Sequence, residues 1–255
     1  MPSNTAAWLT AEKATPLEVL GTALLPWLTY PLILGGDVAG EVVEVGSAAG
    51  TRRITPRARS RSYTVVLAHM ASKIPDGVSY ERAAVLPLGV STAACGLFQK
   101  EYLEPAGGKK TLLIWGGSTS VGSNAIQLAV AAGYEVTRLG ASQVFDYHSE
   151  TAVDELVGAF EGKTSAGALA IGPTSTAPCV AVMRRVSEGI KFVALANHPP
   201  KDLVLPDGVK TKFIFASDIK DNEVSRAVYV DFLPKALAAG TYICAPEPGG
   251  CREGT

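Results

Sequence analysis

The fold is decided by one stretch of the sequence, residues 112–122, which reads LLIWGGSTSVG. The run from Thr111 to Trp115 predicts a strand buried on both faces, and the residues from Val121 to Ala132 predict a helix. A glycine-rich turn between them brings free backbone N–H groups to the positive end of the helix dipole. The stretch therefore predicts a pyrophosphate site, in which Gly117 permits the tight turn and Gly122 the close approach of helix and strand.

Other interpretations of this turn differ in what they require of its neighbours. The order is G-G-x-x-x-V-G rather than G-x-G-x-x-G, so glycines that merely close a strand–helix turn are an alternative. Gly117 and Gly122 have the spacing of a nucleotide-triphosphatase loop, but Ser123 stands where that loop requires lysine. A short-chain dehydrogenase needs Tyr-x-x-x-Lys, and none of the eight tyrosines has lysine four residues later. Both of these classes are excluded.

The rest of the chain alternates between strand-like and helix-like segments. Upstream, Ser79 caps a helix that Pro87 breaks or kinks, and a second helix is expected at 91–102. Further strands are predicted at 41–46, 62–68, 135–137, 143–145, 168–171, 191–195 and 212–216, and helices at 153–160, 176–186 and 222–239. This order predicts an α/β fold with a mostly parallel sheet and helices on both faces.

One connection in this pattern is too short for a parallel crossover. Only Arg138-Leu139-Gly140-Ala141-Ser142 separates the strands predicted at 135–137 and 143–145. Such a crossover needs about a dozen residues or more. One of the two strands is therefore expected to be displaced, unpaired or merged into a loop. Arg138 is a hypothetical partner for a 2′-phosphate, because guanidinium groups pair bidentately with phosphate.

Composition narrows the class of protein. Hydrophobic residues make up 47% of the 255 residues and charged residues 18%, which allows a sizeable core. The 23 basic and 24 acidic residues nearly cancel, so nucleic-acid and membrane partners are not expected. The arginine-rich segment 52–61 is interpreted as a solvated face or loop, with RNA binding as a lesser alternative. Without a secretory signal or a spanning segment, and with four scattered cysteines, we expect a cytoplasmic protein with reduced thiols.

Several motifs together resemble one protein family. They are YPLILGGDVAGEVVEVG at 30–46, AVLP at 84–87, STAA at 91–94, the turn at 112–122 and GASQVFDY at 140–147. With them the chain resembles the zinc-independent, quinone-oxidoreductase-type medium-chain dehydrogenases/reductases, and among these the fungal trans-acting enoyl reductases. The resemblance covers most of the chain.

The resemblance implies both an architecture and an activity. A partial, reduced GroES-like β domain is expected over 1–88, a Rossmann-like doubly wound parallel sheet over 89–240, and a tail over 241–255. The implied activity is NADP(H)-dependent reduction of a small molecule with an activated C=C bond or a quinone. In such a reaction the coenzyme supplies the hydride, and backbone and Ser/Thr donors polarise the acceptor carbonyl.

The resemblance also implies roles for matched positions. The expected cofactor-binding residues are Gly117, Ser118, Thr119, Ser120, Val121 and Gly122 at the pyrophosphate, Tyr147 at the adenosine, and Leu195, Ala196 and Thr92 at the nicotinamide. The three hydroxyl residues of the turn are expected to donate to the pyrophosphate or to a 2′-phosphate. Plain packing is the alternative for each isolated residue, above all for Tyr147. No catalytic residue is assigned, and Tyr30 and Tyr63 are candidate proton donors by type alone.

Zinc is not expected, and some family segments are missing. Gly36 stands where related alcohol dehydrogenases carry a zinc-binding histidine, and the three histidines have no ligand-like spacing. The early barrel strands expected after residues 17–19 are absent, and the tail at 248–255 does not resemble the family's closing elements. A catalytically impaired cofactor-binding or partner-binding member is therefore the second hypothesis. Unpaired strand edges of the incomplete barrel would favour homodimerisation.

Overall fold

The protein is described by a computed structural model, which covers residues 37–45, 51–56, 64–103, 110–136 and 145–247. The chain divides into two compact units, Met1–Ala71 and Ser72–Thr255. Residues 72–88, which the sequence assigned to the first domain, belong to the second unit. Several predictions lie outside the described residues, namely those on Tyr30, Gly36, Tyr63, Arg138, residues 143–144 and the tail at 248–255.

The first unit contains an antiparallel three-stranded sheet. Its strands are β1 (Gly40–Val45), β2 (Thr51–Pro56) and β3 (Thr64–Leu67), with β2 in the middle, and a 3-10 turn (Ala68–Met70) follows. Residues 52–56 of the arginine-rich segment, interpreted as a solvated face or loop, form part of this central strand and not a loop. Pairing with a strand on each side satisfies the backbone of β2, a gain that the charge pattern of the segment does not reveal.

The second unit is built on a parallel sheet of five strands in the order β5-β4-β6-β7-β8. The strands are β4 (Thr111–Trp115), β5 (Glu135–Val136), β6 (Ser165–Ala170), β7 (Phe192–Leu195) and β8 (Lys210–Phe213). Strand β4, the first of this unit in chain order, lies inside the sheet, with β5 on one side of it and β6, β7 and β8 on the other. This is the order of a doubly wound sheet, so the predicted Rossmann-like fold class is confirmed.

The helices before and between these strands lie close to their predicted positions. They are α1 (Tyr80–Ala83), α2 (Pro87–Phe98), α3 (Ser120–Ala131), α4 (Ala152–Ala159) and α5 (Thr176–Arg185). Ser79 caps α1 as predicted, with its hydroxyl accepting from the Arg82 N–H at 3.3 Å. The helix predicted at 91–102 instead starts at Pro87. Proline fits the first turn of a helix, where no intrahelical partner for its N–H is needed.

The helix predicted at 222–239 is interrupted. It consists of α6 (Glu223–Ser225), a π-helical segment (Arg226–Phe232) and α7 (Leu233–Ala238), and a 3-10 segment (Ala216–Asp221) precedes it. Pro234 explains the interruption, because it lacks an N–H and its ring clashes with the carbonyl four residues earlier. No helix in the described part of the chain is long and apolar enough to span a membrane.

The sheet ends early on the β5 side. Strand β5 pairs with β4 over two positions, Thr111 with Glu135 and Leu112 with Val136. Phe145, the last residue of the strand predicted at 143–145, is not in a strand. Within the described residues no strand lies beyond β5, which agrees with the argument that this connection is too short for a crossover.

Alternate residues of the central strands face two different helical layers. Leu113, Ala168 and Val193 pack with residues of α4 and α5, including Phe160 and Met183, in one buried cluster. On the opposite face Gly96 of α2 lies against Leu169 and Ala194. This burial on both faces fixes the plane of the sheet and the position of its carboxyl edge.

Candidate functional site

Where β4 turns into α3, two positions leave no space for the Cβ of any residue other than glycine. Gly116 has a φ of +81°, and a Cβ there would lie 2.5 Å from the carbonyl oxygen of Ile171. A Cβ on Gly122 would lie 2.2 Å from the carbonyl oxygen of Gly116 and 2.6 Å from the Cα of Gly117. The first turn of α3 is thus held against the end of β4. This is the close approach that the sequence predicted at Gly122.

The first turn of α3 leaves two amides pointing out of the helix end. Thr119 is the N-cap, with its hydroxyl oxygen accepting from the Gly122 N–H at 3.0 Å. The N–H groups of Ser120 and Val121 have no hydrogen-bond acceptor among the described residues. Because the helix dipole is positive at this end, these amides form a binding place for an anionic group.

The three hydroxyl residues of the turn differ in what they can offer. The Thr119 hydroxyl donates its proton to the carbonyl oxygen of Gly116 at 2.7 Å, so it has no second proton for a ligand. Ser118 is exposed, and the Ser120 hydroxyl lies 3.5 Å from the carbonyl oxygen of Val85. Of the predicted hydroxyl donors, Ser118 therefore has the best access to a bound phosphate.

Replacing Thr119 tests its role as a cap. We expect Thr119→Ala to lower the free energy of unfolding by about 1 kcal/mol, because the Gly122 N–H loses its acceptor. Thr119→Ser keeps the hydroxyl and should remain close to wild type. Urea unfolding followed by circular dichroism measures both variants. Equal stability of the two variants would contradict the capping role.

A groove opens beside this turn at the carboxyl end of β4. Together with the open solvent at its mouth the groove comprises about 410 Å³, and it is lined by Leu113, Ile114, Trp115, Gly116, Gly117, Phe145, Tyr147, Ala152 and Leu156. The ring of Tyr147 meets that of Trp115 edge-on, with centroids 6.3 Å apart, and Tyr147 is 57% exposed. The structure therefore brings two predicted site residues, Gly117 and Tyr147, to one groove.

The segment around Tyr147 is held by local contacts. The backbone N–H of His148 donates to Asp146 Oδ1 at 3.0 Å, and Nδ1 of the same histidine lies 3.1 Å from that oxygen. These contacts hold the pKa of Asp146 below its usual range, the backbone hydrogen bond first. The His148 ring also lies against Tyr147, with centroids 3.9 Å apart. Tyr147 thus has a fixed place at the rim of the groove although much of its surface is exposed.

The neighbouring strands end at the same edge. The Ile171 N–H donates to the carbonyl oxygen of Trp115 at 3.2 Å, and the Ala196 N–H donates to that of Ala170 at 2.9 Å. Asn197 Oδ1 accepts from the Gly172 N–H at 2.7 Å and so joins the loops after β6 and β7. Leu195 is buried at the end of β7, and Ala196 is partly exposed beyond it. Parallel strands place their ligand sites at this edge.

Three predicted residues lie away from the described lining of the groove. Leu195 and Ala196 lie two strands away from β4, at the end of β7. Thr92 is buried in α2, and its hydroxyl donates to the carbonyl oxygen of Leu88 at 2.8 Å. The nicotinamide roles of these residues remain predictions.

Sequence reasoning missed three contributors to the site. Trp115 was placed in a strand but not at the site, although its position immediately before Gly116 was a usable signal. Phe145 was assigned to a strand and instead lines the groove. Asn197 directly follows the predicted pair Leu195 and Ala196, but its bond to a distant backbone amide has no signature in the sequence.

The described residues contain no cluster of metal ligands. Among them, no group of three or more His, Cys, Asp or Glu side chains is placed to hold a metal ion. His198 stacks on Phe213, with centroids 4.1 Å apart. Burial, followed by the charge of Asp218, raises the pKa of Cys95 to about 12, and this thiol is therefore protonated and poorly nucleophilic at neutral pH.

Two fungal proteins are similar to this chain over most of its length. The dehydrogenase pigH of Monascus ruber is 39% identical over an alignment of 341 positions, gaps included, which covers 97% of this chain and 92% of pigH. The trans-enoyl reductase himH of Aspergillus japonicus is 35% identical over an alignment of 256 positions, which covers 87% of this chain and 73% of himH. No family model matches the chain.

The fold has counterparts among solved structures. The quinone oxidoreductase of Escherichia coli, complexed with NADPH, has a TM-score of 0.61 to this chain at 19% sequence identity. The match covers 86% of this chain and 74% of that protein. At this level of identity the likeness is one of fold alone.

The comparison with pigH also bears on the missing segments. The alignment extends over 341 positions, whereas this chain has 255 residues. The relative therefore carries internal segments that this chain lacks, in agreement with the gaps expected from the sequence.

Proposed function

Because the chain belongs to the medium-chain dehydrogenase/reductase family, we propose that it is an NADPH-dependent reductase that acts on an activated C=C bond or a quinone without zinc. Its relatives are dehydrogenases and trans-enoyl reductases, which makes oxidoreductase the class of activity. The observation that carries the proposal is the pair of outward-pointing amides, Ser120 and Val121, at the helix end beside the groove.

The described residues fit a dinucleotide. A Cβ on Gly122 would clash with the backbone of Gly116 and Gly117, so glycine there keeps the first turn of α3, with its outward-pointing amides, against the end of β4. The diphosphate would be held by the amides of the first turn of α3, with the hydroxyl of Ser118 beside them. Tyr147 and Trp115 would flank the adenosine part, and Leu195 with Ala196 would lie near the nicotinamide.

The choice of coenzyme and acceptor rests on similarity. The quinone oxidoreductase of similar fold is complexed with NADPH, and himH is named a trans-enoyl reductase. When bound, NADPH supplies a hydride. The chain's own part would be to orient the acceptor, exclude water and polarise the acceptor carbonyl with backbone and hydroxyl donors.

Coenzyme binding is tested by thermal melting and by NADPH fluorescence. A ligand present at about one hundred times its dissociation constant adds about 2.7 kcal/mol to the stability of the folded state, so we expect a clear rise in melting temperature with NADPH and a smaller one with NADH. An unchanged melting temperature and unchanged fluorescence in folded protein would refute the proposal.

Turnover is tested separately. NADPH oxidation is followed with a panel of enoyl thioesters, enones and quinones, in protein whose zinc content is measured and with or without a chelator. We expect oxidation with at least one acceptor and no loss of rate on chelation. Loss of activity that returns with added Zn²⁺ would contradict zinc independence.

A coenzyme-binding protein without catalysis is the second candidate. It is favoured by the internal segments that pigH has and this chain lacks. Its signature in the same experiments is a rise in melting temperature with NADPH and no oxidation of NADPH with any acceptor.

A further inference from the structure

The chain after α7 packs along α3, the helix that follows the glycine-rich turn. We call residues 241–247 the strap. Within it Tyr242 and Cys244 are buried, and Ile243 between them is 58% exposed. The strap therefore turns alternate side chains inward. Its hydrogen bonds to α3 run to one face of that helix, and at its end Glu247 accepts from Arg82 of α1 at 3.0 Å. The sequence had assigned this segment to a tail.

The middle of α3 holds the strap by a two-point contact. Gln127 Oε1 accepts from the Ile243 N–H at 2.7 Å, and Gln127 Nε2 donates to the carbonyl oxygen of Ile243 at 3.2 Å. The side-chain amide thus pairs with the strap backbone as a neighbouring strand would. These bonds fasten the strap but lie away from the first turn of the helix.

A second contact connects the strap to that first turn. The Tyr242 hydroxyl donates to Asn124 Oδ1 at 2.6 Å, and Asn124 Nδ2 donates to the carbonyl oxygen of Ser120 at 2.8 Å. Asn124 has an exposed fraction of 0%, so no water can replace a lost partner. Ser120 carries one of the two outward-pointing amides, and the strap is therefore two hydrogen bonds away from the proposed diphosphate site.

The opposite side of the first turn is closed by α2. A Cβ on Gly89 would lie 2.6 Å from Asn124 Nδ2 and 2.7 Å from the Ser120 hydroxyl oxygen. The first turn is thus confined between the backbone of α2 and the strap. Because Gly89 admits no larger side chain there, Asn124 has little space to change its position.

We propose that Asn124 and Tyr242 are positioning residues, which hold the first turn of α3 in the arrangement that binds the coenzyme diphosphate. Neither residue contacts the diphosphate, and both act through the carbonyl oxygen of Ser120. The effect on coenzyme binding rests on the proposed function, but the positioning of the first turn can be measured without coenzyme.

The test compares three single variants of the full chain. Tyr242→Phe deletes the hydroxyl alone, and Asn124→Ala deletes both hydrogen bonds of the asparagine side chain, the one from Tyr242 and the one to Ser120. Gln127→Ala is the matched control, because it removes contacts to the same strap and leaves the bonds of Asn124 intact, its one contact to the first turn being the bond from Nε2 to the carbonyl oxygen of Ser123 at 3.3 Å. For each variant we would measure hydrogen exchange at the bonded amides of Gly122, Ser123 and Ile243, the NADPH dissociation constant by fluorescence, and the KM values for NADPH and the acceptor.

The expected result separates the control from the positioning variants. Asn124→Ala and Tyr242→Phe should speed exchange at Gly122 and Ser123 and raise both the dissociation constant and the KM for NADPH by roughly fivefold, the effect of one lost hydrogen bond. The kcat and the KM for the acceptor should stay close to wild type. Gln127→Ala should speed exchange at Ile243 only. The double variant Asn124→Ala/Tyr242→Phe should not exceed Asn124→Ala, since the two side chains act as one unit.

Two outcomes would overturn the inference. In the first, Gln127→Ala raises exchange at Gly122 and the KM for NADPH as much as the other two variants, so that the strap acts through general stability. In the second, Asn124→Ala and Tyr242→Phe leave exchange at Gly122 and Ser123 unchanged. Wild-type protein that binds no NADPH would refute the proposed function instead, and the exchange data would still decide whether Asn124 and Tyr242 position the first turn.

Discussion

Gly122→Ala should abolish useful coenzyme binding and destabilise the second unit. The added Cβ would lie 2.2 Å from the carbonyl oxygen of Gly116 and 2.6 Å from the Cα of Gly117. Both atoms belong to the backbone, so no side chain can rotate away to relieve the clash. We expect a loss of about 3 kcal/mol in the free energy of unfolding, the upper part of the range for overpacked sites.

The effect on the coenzyme follows from the same displacement. To accept the methyl group, the start of α3 must move away from the end of β4, and the amides of Ser120 and Val121 move with it. Hydrogen bonds to a charged group contribute about 1.5–3 kcal/mol each, so misplacing these two amides should raise the NADPH dissociation constant on the order of 100-fold. Fluorescence titration measures the dissociation constant, and urea unfolding measures the stability.

Gly158→Ala is the matched control for this substitution. Gly158 lies in α4, and a Cβ there would meet nothing within 4 Å. Alanine in a helix is favoured over glycine by roughly 0.5–1 kcal/mol, so this variant should be slightly more stable than wild type and bind NADPH normally. Normal NADPH affinity in Gly122→Ala would refute the close-approach argument.

The sequence was sufficient where local pattern determines structure. The stretch at 112–122 contains a buried strand, a glycine-rich turn and the start of a helix, and each has its own signal in composition or spacing. Most of the strands and helices that follow were therefore placed within a few residues, and the predicted parallel sheet was confirmed. The short gap after Val136 was informative too, because chain length alone limits a crossover.

The remaining features depend on contacts between distant parts of the chain. The arginines of segment 52–61 gave no sign that part of it is the central strand of a sheet, because pairing depends on two partner strands. The pairing of Asn124 with Tyr242 joins residues far apart in the sequence. No periodicity announces such a pair, and an asparagine in a helix is ordinarily interpreted as a surface residue.

Leu169→Ala should produce the largest loss of stability that leaves the site intact. Leu169 lies in β6, the central strand of the parallel sheet, between Ile114 of β4 and Ala194 of β7, and its exposed fraction is 0%. Its Cδ1 lies close to Gly96 of α2, so truncation leaves a void between sheet and helix. We expect a loss of about 3 kcal/mol in the free energy of unfolding. The Tm should fall by roughly 6–12 °C.

Leu88→Ala makes the same chemical change at a site that is 61% exposed and should alter stability by no more than about 0.5 kcal/mol. Since Leu169 does not line the groove, folded Leu169→Ala protein should bind NADPH with wild-type affinity at low temperature. A rise in the dissociation constant as large as that expected for Gly122→Ala would contradict this. Such a rise would mean that the helical layer of α2 transmits packing changes to the turn, and that Gly89 and Asn124 couple the core to the coenzyme.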